Sequence, residues 1–191
     1  MSRIFRQTPS FSGFEVCFGG GCAETRLLKL TAEEWQKVAT IFDKTAINAE
    51  QERQLIAMGV AKLESIVGEK IGTSKDLAGT FFAGHLSGQQ DCNDESINTT
   101  TYMRLMRQAG LLKWHEIEDT RTRNFFFNGW PHSSAVIRDT DSHQQFAVDS
   151  WFYDNGAQPV IVPLQQWKAG FRPADTPIDH PRSTKAGPPA N

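Results

Sequence analysis

Residues 131–151 read PHSSAVIRDTDSHQQFAVDSW, in which two short apolar runs flank the polar segment DTDSH at residues 139–143. Runs of this length that are rich in β-branched and aromatic residues predict strands. The aspartates and serine between them predict a turn. We therefore expect an antiparallel hairpin with strands over residues 132–137 and 145–151.

The position of the turn decides which residues of this hairpin face each other. A tip at Thr140 and Asp141 places His132 directly opposite Asp149. Directly opposite residues share one face of the sheet, with Cβ atoms about 4.5–5.5 Å apart. The other face then carries an apolar set suited to a core, namely Ala135, Ile137, Phe146 and Val148. The register that buries these hydrophobic residues thus predicts a carboxylate beside an imidazole.

Helical patterns precede the hairpin. Thr31 to Glu34 form a capping box, an amphipathic stripe covers about residues 48–70, and a third helix begins near Asp91 and stops at Gly110. Further strands are predicted over residues 14–18, 111–117, 125–127 and 160–162. Helices followed by antiparallel strands indicate an α+β fold.

Length and composition limit the classes of protein to consider. A chain of 191 residues suits one domain, predicted over residues 1–172, and residues 173–191 hold five prolines and predict a loose tail. The net charge of -2 and the absence of a basic run argue against a nucleic-acid partner. No stretch reaches the roughly 18 apolar residues of an integral membrane segment.

The N-terminal region leaves the compartment open. Residues 1–22 show no apolar signal segment, which favours the cytoplasm if Met1 is the natural start and the periplasm if a leader was removed. Cys17 and Cys22 flank a glycine-rich turn, where they either form a disulfide or remain two reduced thiols.

The third cysteine, Cys92, lies in a different setting. It follows Asp91, the predicted N-cap, so its thiol falls in the first turn of a helix, where the macrodipole and the unpaired N–H groups favour thiolate. The surrounding residues, DCNDES, are too polar for an ordinary buried structural cysteine. We expect Cys92 to be a nucleophile.

Cys92, His132 and Asp149 together match the residue types of a nucleophile, a general base and the carboxylate that orients the base. His143 falls in the predicted turn, and His115 beside Trp114 is better explained by packing. No close ligand spacing supports a zinc site. Because the three side chains supply the nucleophile, the base and the orienting carboxylate, we expect no required cofactor.

Three segments resemble a known family: DCNDES at residues 91–96, PHSSAVI at 131–137 and FAVDSWF at 146–152. They resemble the transglutaminase-like cysteine hydrolases, and most of all the bacterial, periplasmic transglutaminase-like cysteine proteinases. The likeness covers residues 90–151. It implies a papain-like core in which the nucleophile helix packs on an antiparallel sheet. It also implies a thiol protease or amidase acting on a protein or peptide substrate.

The same resemblance suggests further site residues. In that branch the acidic residues beside the nucleophile bind calcium, and here Asp91 and Asp94 match them, whereas Asn93 replaces a carboxylate that a hard cation prefers. Apart from the resemblance, the expected mechanism needs an oxyanion site, formed by the Cys92 N–H and one further donor, for which Gln90 is the candidate. Two alternatives remain open: acyl transfer to an amine through the same thioester, and an inactive scaffold that only binds peptides.

Overall fold

The computed structural model describes residues 8–80, 88–126 and 130–179. Its elements, in chain order, are β1 (Phe14–Phe18), β2 (Glu24–Leu28), α1 (Ala32–Ala39), α2 (Ala49–Ile71), α3 (Cys92–Gln108), β3 (His115–Phe126), β4 (Trp130–Asp139), β5 (Gln145–Asp149), β6 (Val160–Pro163) and α4 (Leu164–Lys168). Helices and two antiparallel sheets confirm the predicted α+β class.

The helix boundaries follow local capping chemistry. Thr31 caps α1 through the predicted capping box, and Asn48 caps α2, which ends at Gly72 with φ +86°. Asp91 caps α3, as predicted, and accepts hydrogen bonds from the next two backbone N–H groups beyond Cys92. No helix within the described ranges is long and apolar enough to cross a bilayer.

The main sheet has the strand order β3-β4-β5-β6, with every neighbouring pair antiparallel. One of its faces carries the four apolar residues predicted for the core, Ala135, Ile137, Phe146 and Val148. They pack in one hydrophobic cluster with the buried stripes of α2 and α3. This packing sets α3 against β4, and Ser133 of β4 donates to the Asn93 side chain in the first turn of α3.

The hairpin register differs from the predicted one by two residues. Ala135 pairs with Val148, and Ile137 pairs with Phe146. The reason lies in the turn, where the Asp139 side chain accepts the N–H groups of the second and third residues after it and His143 takes the left-handed conformation, φ 58°. A slip of two keeps every side chain on its face, because side chains alternate with period two.

Several strand limits also differ from the prediction. The strand predicted over 111–117 begins only at His115, because Glu52 of α2 accepts the N–H groups of Lys113 and Trp114 and ties that segment to the helix. The separate strand predicted over 125–127 is the end of β3, and Phe127 lies outside the described residues. The short elements β2 and α4 were not predicted.

The proline-rich segment is partly packed. Thr176 is fully buried and donates to the Phe152 carbonyl, and Tyr153 donates its hydroxyl to Asp175. The tail predicted from residue 173 is therefore not loose over residues 173–179, where these contacts attach it to the domain. Residues 180–191 of the predicted tail, 81–87 of the predicted loop and 1–7 of the predicted domain lie outside the described residues.

Candidate active site

Cys92 is the first residue of α3, and its side chain is buried, 7% exposed. The thiol accepts a hydrogen bond from the backbone N–H of Ser133 in β4. It also packs with Trp151 and Phe152, the residues that follow β5. Since the other two cysteines of the chain form a disulfide, Cys92 is the free thiol.

The sequence predicted that Cys92 rests as a thiolate, and this prediction was wrong, because the environment of Cys92 favours the protonated thiol. Burial raises the pKa of the thiol to about 12, and the nearby carboxylates of Asp91 and Asp149 act in the same direction. The N–H groups of Ser133 and of Cys92 itself oppose the shift. Desolvation outweighs the helix N-terminus here, and a base is therefore needed to deprotonate the thiol.

His132 and Asp149 form a buried pair. The imidazole Nε2 lies 2.7 Å from Oδ2 of the carboxylate, and the residues are 0% and 2% exposed. The contact predicted between them is confirmed, although the register makes them diagonal rather than direct neighbours. Diagonal residues lie about 7–8 Å apart at Cα, still within reach of long side chains. Their roles in catalysis stay predictions.

Aromatic rings surround His132. Its ring centroid lies 4.7 Å from that of Trp151, 5.7 Å from that of Phe152 and 5.7 Å from that of Trp167. Cys92 packs against the first two of these rings. This cluster of buried side chains thus places Cys92 and the His132–Asp149 pair around the same two aromatic rings, Trp151 and Phe152, and the charge of Asp149 acts on Cys92.

Two residues of this cluster were missed from the sequence. The indole Nε1 of Trp167 lies 2.7 Å from Oδ2 of Asp149, the oxygen that His132 also contacts. The Arg123 guanidinium lies 4.5 Å from the Trp167 ring centroid. Nothing in the spacing of Trp167 reveals this contact, because α4 lies beyond the hairpin and shows no periodic pattern long enough to place it.

Gln90, which was expected to donate to an oxyanion, makes structural hydrogen bonds instead. Its side-chain Nε2 donates to the Cys17 carbonyl at 3.0 Å, and its backbone N–H donates to Asp76 at 2.9 Å. These contacts join the start of α3 to β1 and to the loop after α2. They give no support to Gln90 as an oxyanion donor, because its amide is directed to the backbone of a strand.

The carboxylates of Asp91 and Asp94 are bound by backbone N–H groups. Gly20 and Cys22 donate to the two oxygens of Asp94 at 2.7 and 2.6 Å, and Gly21 donates to Asp91 at 2.7 Å. These donors belong to the loop closed by the Cys17–Cys22 disulfide, which the structure shows in place of two reduced thiols. The glycines of the loop have positive φ, which lets successive N–H groups converge.

This donor set does not fit calcium. A calcium ion needs oxygen lone pairs directed at it, whereas the lone pairs of Asp91 and Asp94 already accept N–H groups whose positive ends would repel a cation. Burial also raises the pKa of Asp94 to about 6. In the described parts of the chain, no group of three or more His, Cys, Asp or Glu side chains is placed to hold a metal.

Two further acidic residues are buried in this region: Glu95, near Cys92, and its neighbour Asp76. Glu95, 8% exposed, is in electrostatic contact with Cys92 and Asp149, and burial raises its pKa well above the ordinary range. Its neighbour Asp76, 2% exposed, has its pKa raised to about 7, chiefly by burial. The Glu95 and Asp76 carboxyl groups form a side-chain hydrogen bond with each other.

A second buried histidine forms a comparable pair without a nucleophile. His115 Nδ1 lies 2.9 Å from Oε1 of Glu52, and its Nε2 lies 3.3 Å from Arg53. Glu52 also accepts the N–H groups that begin the segment before β3, so the pair joins α2 to the sheet. This agrees with the packing role expected of His115.

Comparisons with known proteins identify no relative, since no family model, no curated protein and no solved structure matches the chain. The chemistry of the site must therefore be inferred from its geometry. A buried imidazole paired with a carboxylate, and a thiol at a helix N-terminus that packs on two of the same aromatic rings, are the components of nucleophilic catalysis.

Proposed function

We propose that this protein is a cysteine hydrolase, a protease or amidase, in which Cys92 is the nucleophile, His132 the base and Asp149 the residue that orients the base. The observation that carries the proposal is the buried 2.7 Å contact between His132 and Asp149, whose imidazole packs on the same two aromatic rings, Trp151 and Phe152, as the free thiol. The order of helix, β4 and β5 that supplies them supports a papain-like, transglutaminase-like arrangement.

The buried thiol determines the first step. Because Cys92 is protonated at neutral pH, its proton passes to Nδ1 of His132 as the sulfur attacks the substrate carbonyl. Asp149 stabilises the imidazolium that forms. The N–H groups of Cys92 and Ser133, which face the sulfur, are the donors that would stabilise the oxyanion.

The remaining steps restore the enzyme. The imidazolium returns its proton to the leaving amine as the carbon–nitrogen bond breaks, which leaves a thioester on Cys92. A water molecule, deprotonated by His132, then attacks the thioester and releases the acid. No metal enters these steps, in keeping with the poor fit of Asp91 and Asp94 to calcium.

Acyl transfer is the second candidate, and one observation favours it. His132 is 0% exposed and enclosed by Trp151, Phe152 and Trp167. Such aromatic walls limit the entry of water and would favour an amine as the group that resolves the thioester. The two reactions share the acyl-enzyme and differ only in that last step.

The proposal is tested with an activated ester or peptide anilide and intact-protein mass spectrometry. Wild-type protein should form an acyl adduct on Cys92 and release product, whereas Cys92→Ser and His132→Ala should do neither. Adding a primary amine separates hydrolysis from transfer by the product formed. Absence of any adduct across a broad substrate panel, with Cys92 intact, would support a scaffold that only binds peptides.

A further inference from the structure

One oxygen of Asp149 accepts two ring N–H groups. His132 Nε2 and Trp167 Nε1 both lie 2.7 Å from Oδ2. The first donor belongs to β4 and the second to α4, so the carboxylate is held between two elements. An indole N–H only donates, so Oδ2 of Asp149 is held in place as a hydrogen-bond acceptor.

The position of Trp167 is itself controlled by a buried cation. Trp167 is 0% exposed, and the Arg123 guanidinium stacks over its ring. The same guanidinium donates to the carbonyl of Trp167 and, at 3.1 Å, to that of Phe171, at the C-terminal end of α4. A cation is favourable at this end of a helix, and Arg123 thereby attaches α4 to β3.

Arg123 also belongs to the site by its place in the sheet. It is the direct partner of His132 across β3 and β4, and its charge acts on Asp149. Among the described residues, further titratable groups that contact or act on Asp149 include His132 from β4 and Cys92 and Glu95 from α3. Burial lowers the pKa of Arg123 to about 10, so its guanidinium is still a cation at neutral pH and offsets the negative charge of Asp149.

We propose that Trp167, held in place by Arg123, is a positioning residue that keeps Oδ2 of Asp149 directed at His132 as a hydrogen-bond acceptor. The inference rests on the proposed function, because it assigns a role within the same triad. It predicts that the indole N–H, and not only the bulk of the ring, controls how well His132 accepts the proton of Cys92.

The test compares Trp167 variants in the pH dependence of Cys92 alkylation, which needs no substrate. Trp167→Phe removes the donor that holds Oδ2 of Asp149 in place, so His132 accepts the thiol proton less well and the acid limb of the rate profile should shift. The rate near neutral pH should fall about tenfold, the effect of one charge-assisted hydrogen bond. Replacing Trp167 by 3-benzothienylalanine, which keeps the bicyclic shape without the N–H, should reproduce this shift.

Two controls separate positioning from packing. Trp114→Phe also removes an indole hydrogen bond, to the Ala46 carbonyl at 3.2 Å, and should leave the profile in place. Arg123→Lys should shift the profile less than Arg123→Met, because it keeps the charge. An unmoved acid limb in both Trp167 variants would overturn the inference while the proposed function stands. Equal alkylation in wild type and His132→Ala would instead overturn the proposed function.

Discussion

Nε2 of His132 donates to Oδ2 of Asp149 across β4 and β5, and this contact determines the tautomer of the imidazole. In the neutral ring one nitrogen donates and the other accepts. With the proton of Nε2 held by Asp149, Nδ1 carries the lone pair. The pair is therefore arranged to accept a proton at Nδ1, which is the function that the proposal assigns to it beside Cys92.

Asp149→Asn should retain the fold and lose most of the activity. The amide oxygen can still accept from His132 and Trp167, so we expect little change in the melting temperature. The imidazolium loses its counter-charge, and the rate should fall by about 10²–10⁴-fold, as for related triads. Thermal unfolding and the acylation rate check both parts. Undiminished acylation by a folded Asp149→Asn protein would show that Asp149 does not orient the base.

Calcium should leave the stability of the protein unchanged. Neither calcium at millimolar concentration nor EDTA should shift the melting temperature, because ligand that does not bind the folded state cannot stabilise it. Asp94→Ala should lower the free energy of unfolding by about 1–3 kcal/mol, since it leaves the partly buried N–H groups of Gly20 and Cys22 without their acceptor.

The exposed Asp43 provides the matched control, and Asp43→Ala should be nearly neutral. A calcium-dependent rise in melting temperature that is present in wild type and lost in Asp94→Ala would contradict our conclusion that the donor set does not fit calcium.

The Cys17–Cys22 disulfide should stabilise the protein. A bond that closes so short a loop contributes about 2 kcal/mol in the chain-entropy account. Chemical unfolding with and without reductant measures this difference, and it is best done in Cys92→Ser protein, which has no other thiol. Peptide mapping of unreduced protein should recover Cys17 and Cys22 as one linked peptide. Recovery of two free thiols would contradict the disulfide.

Asp76 should make the stability fall with rising pH. Its pKa is raised from 3.8 to about 7 in the folded protein, so between these values the folded state binds more protons than the unfolded state. The free energy of unfolding then decreases as pH rises through this window. Asp76→Asn removes this contribution, and the stability difference between variant and wild type should grow from pH 4 to pH 7. A constant difference would contradict the assignment.

The sequence predicted the elements whose signals are local. The N-cap at Asp91 and the alternation of Ala135 and Ile137 depend on neighbouring residues, and both were confirmed. The hairpin register was wrong by two because the Asp139 side chain folds over the turn, a contact that composition alone does not specify. His132 and Asp149 are nevertheless in contact, because a register shift of two residues leaves both side chains on the same face of the sheet.

The parts of the site that were wrong or missed depend on distant contacts. Asp91 and Asp94 meet the glycine loop across about 70 residues of chain, and no pattern within DCNDES reveals a donor from so far away. The raised pKa of Cys92 arises from burial by Trp151 and Phe152, which only the folded packing supplies. The contact between Trp167 and Asp149 likewise arises only when α4 packs against the sheet in the folded protein.

The central claim is that His132 acts as the base for Cys92, and the pH dependence of Cys92 alkylation by iodoacetamide tests it most directly. Wild type and His132→Ala should be compared after their melting temperatures confirm folding. The two profiles are compared in shape, because a change in access to Cys92 multiplies the rate equally at every pH, whereas loss of the base changes how the rate depends on pH. Without the base, the rate should keep rising toward the thiol pKa of about 12. With the base, wild type should react at least about tenfold faster at neutral pH, and superimposable profiles would contradict the account.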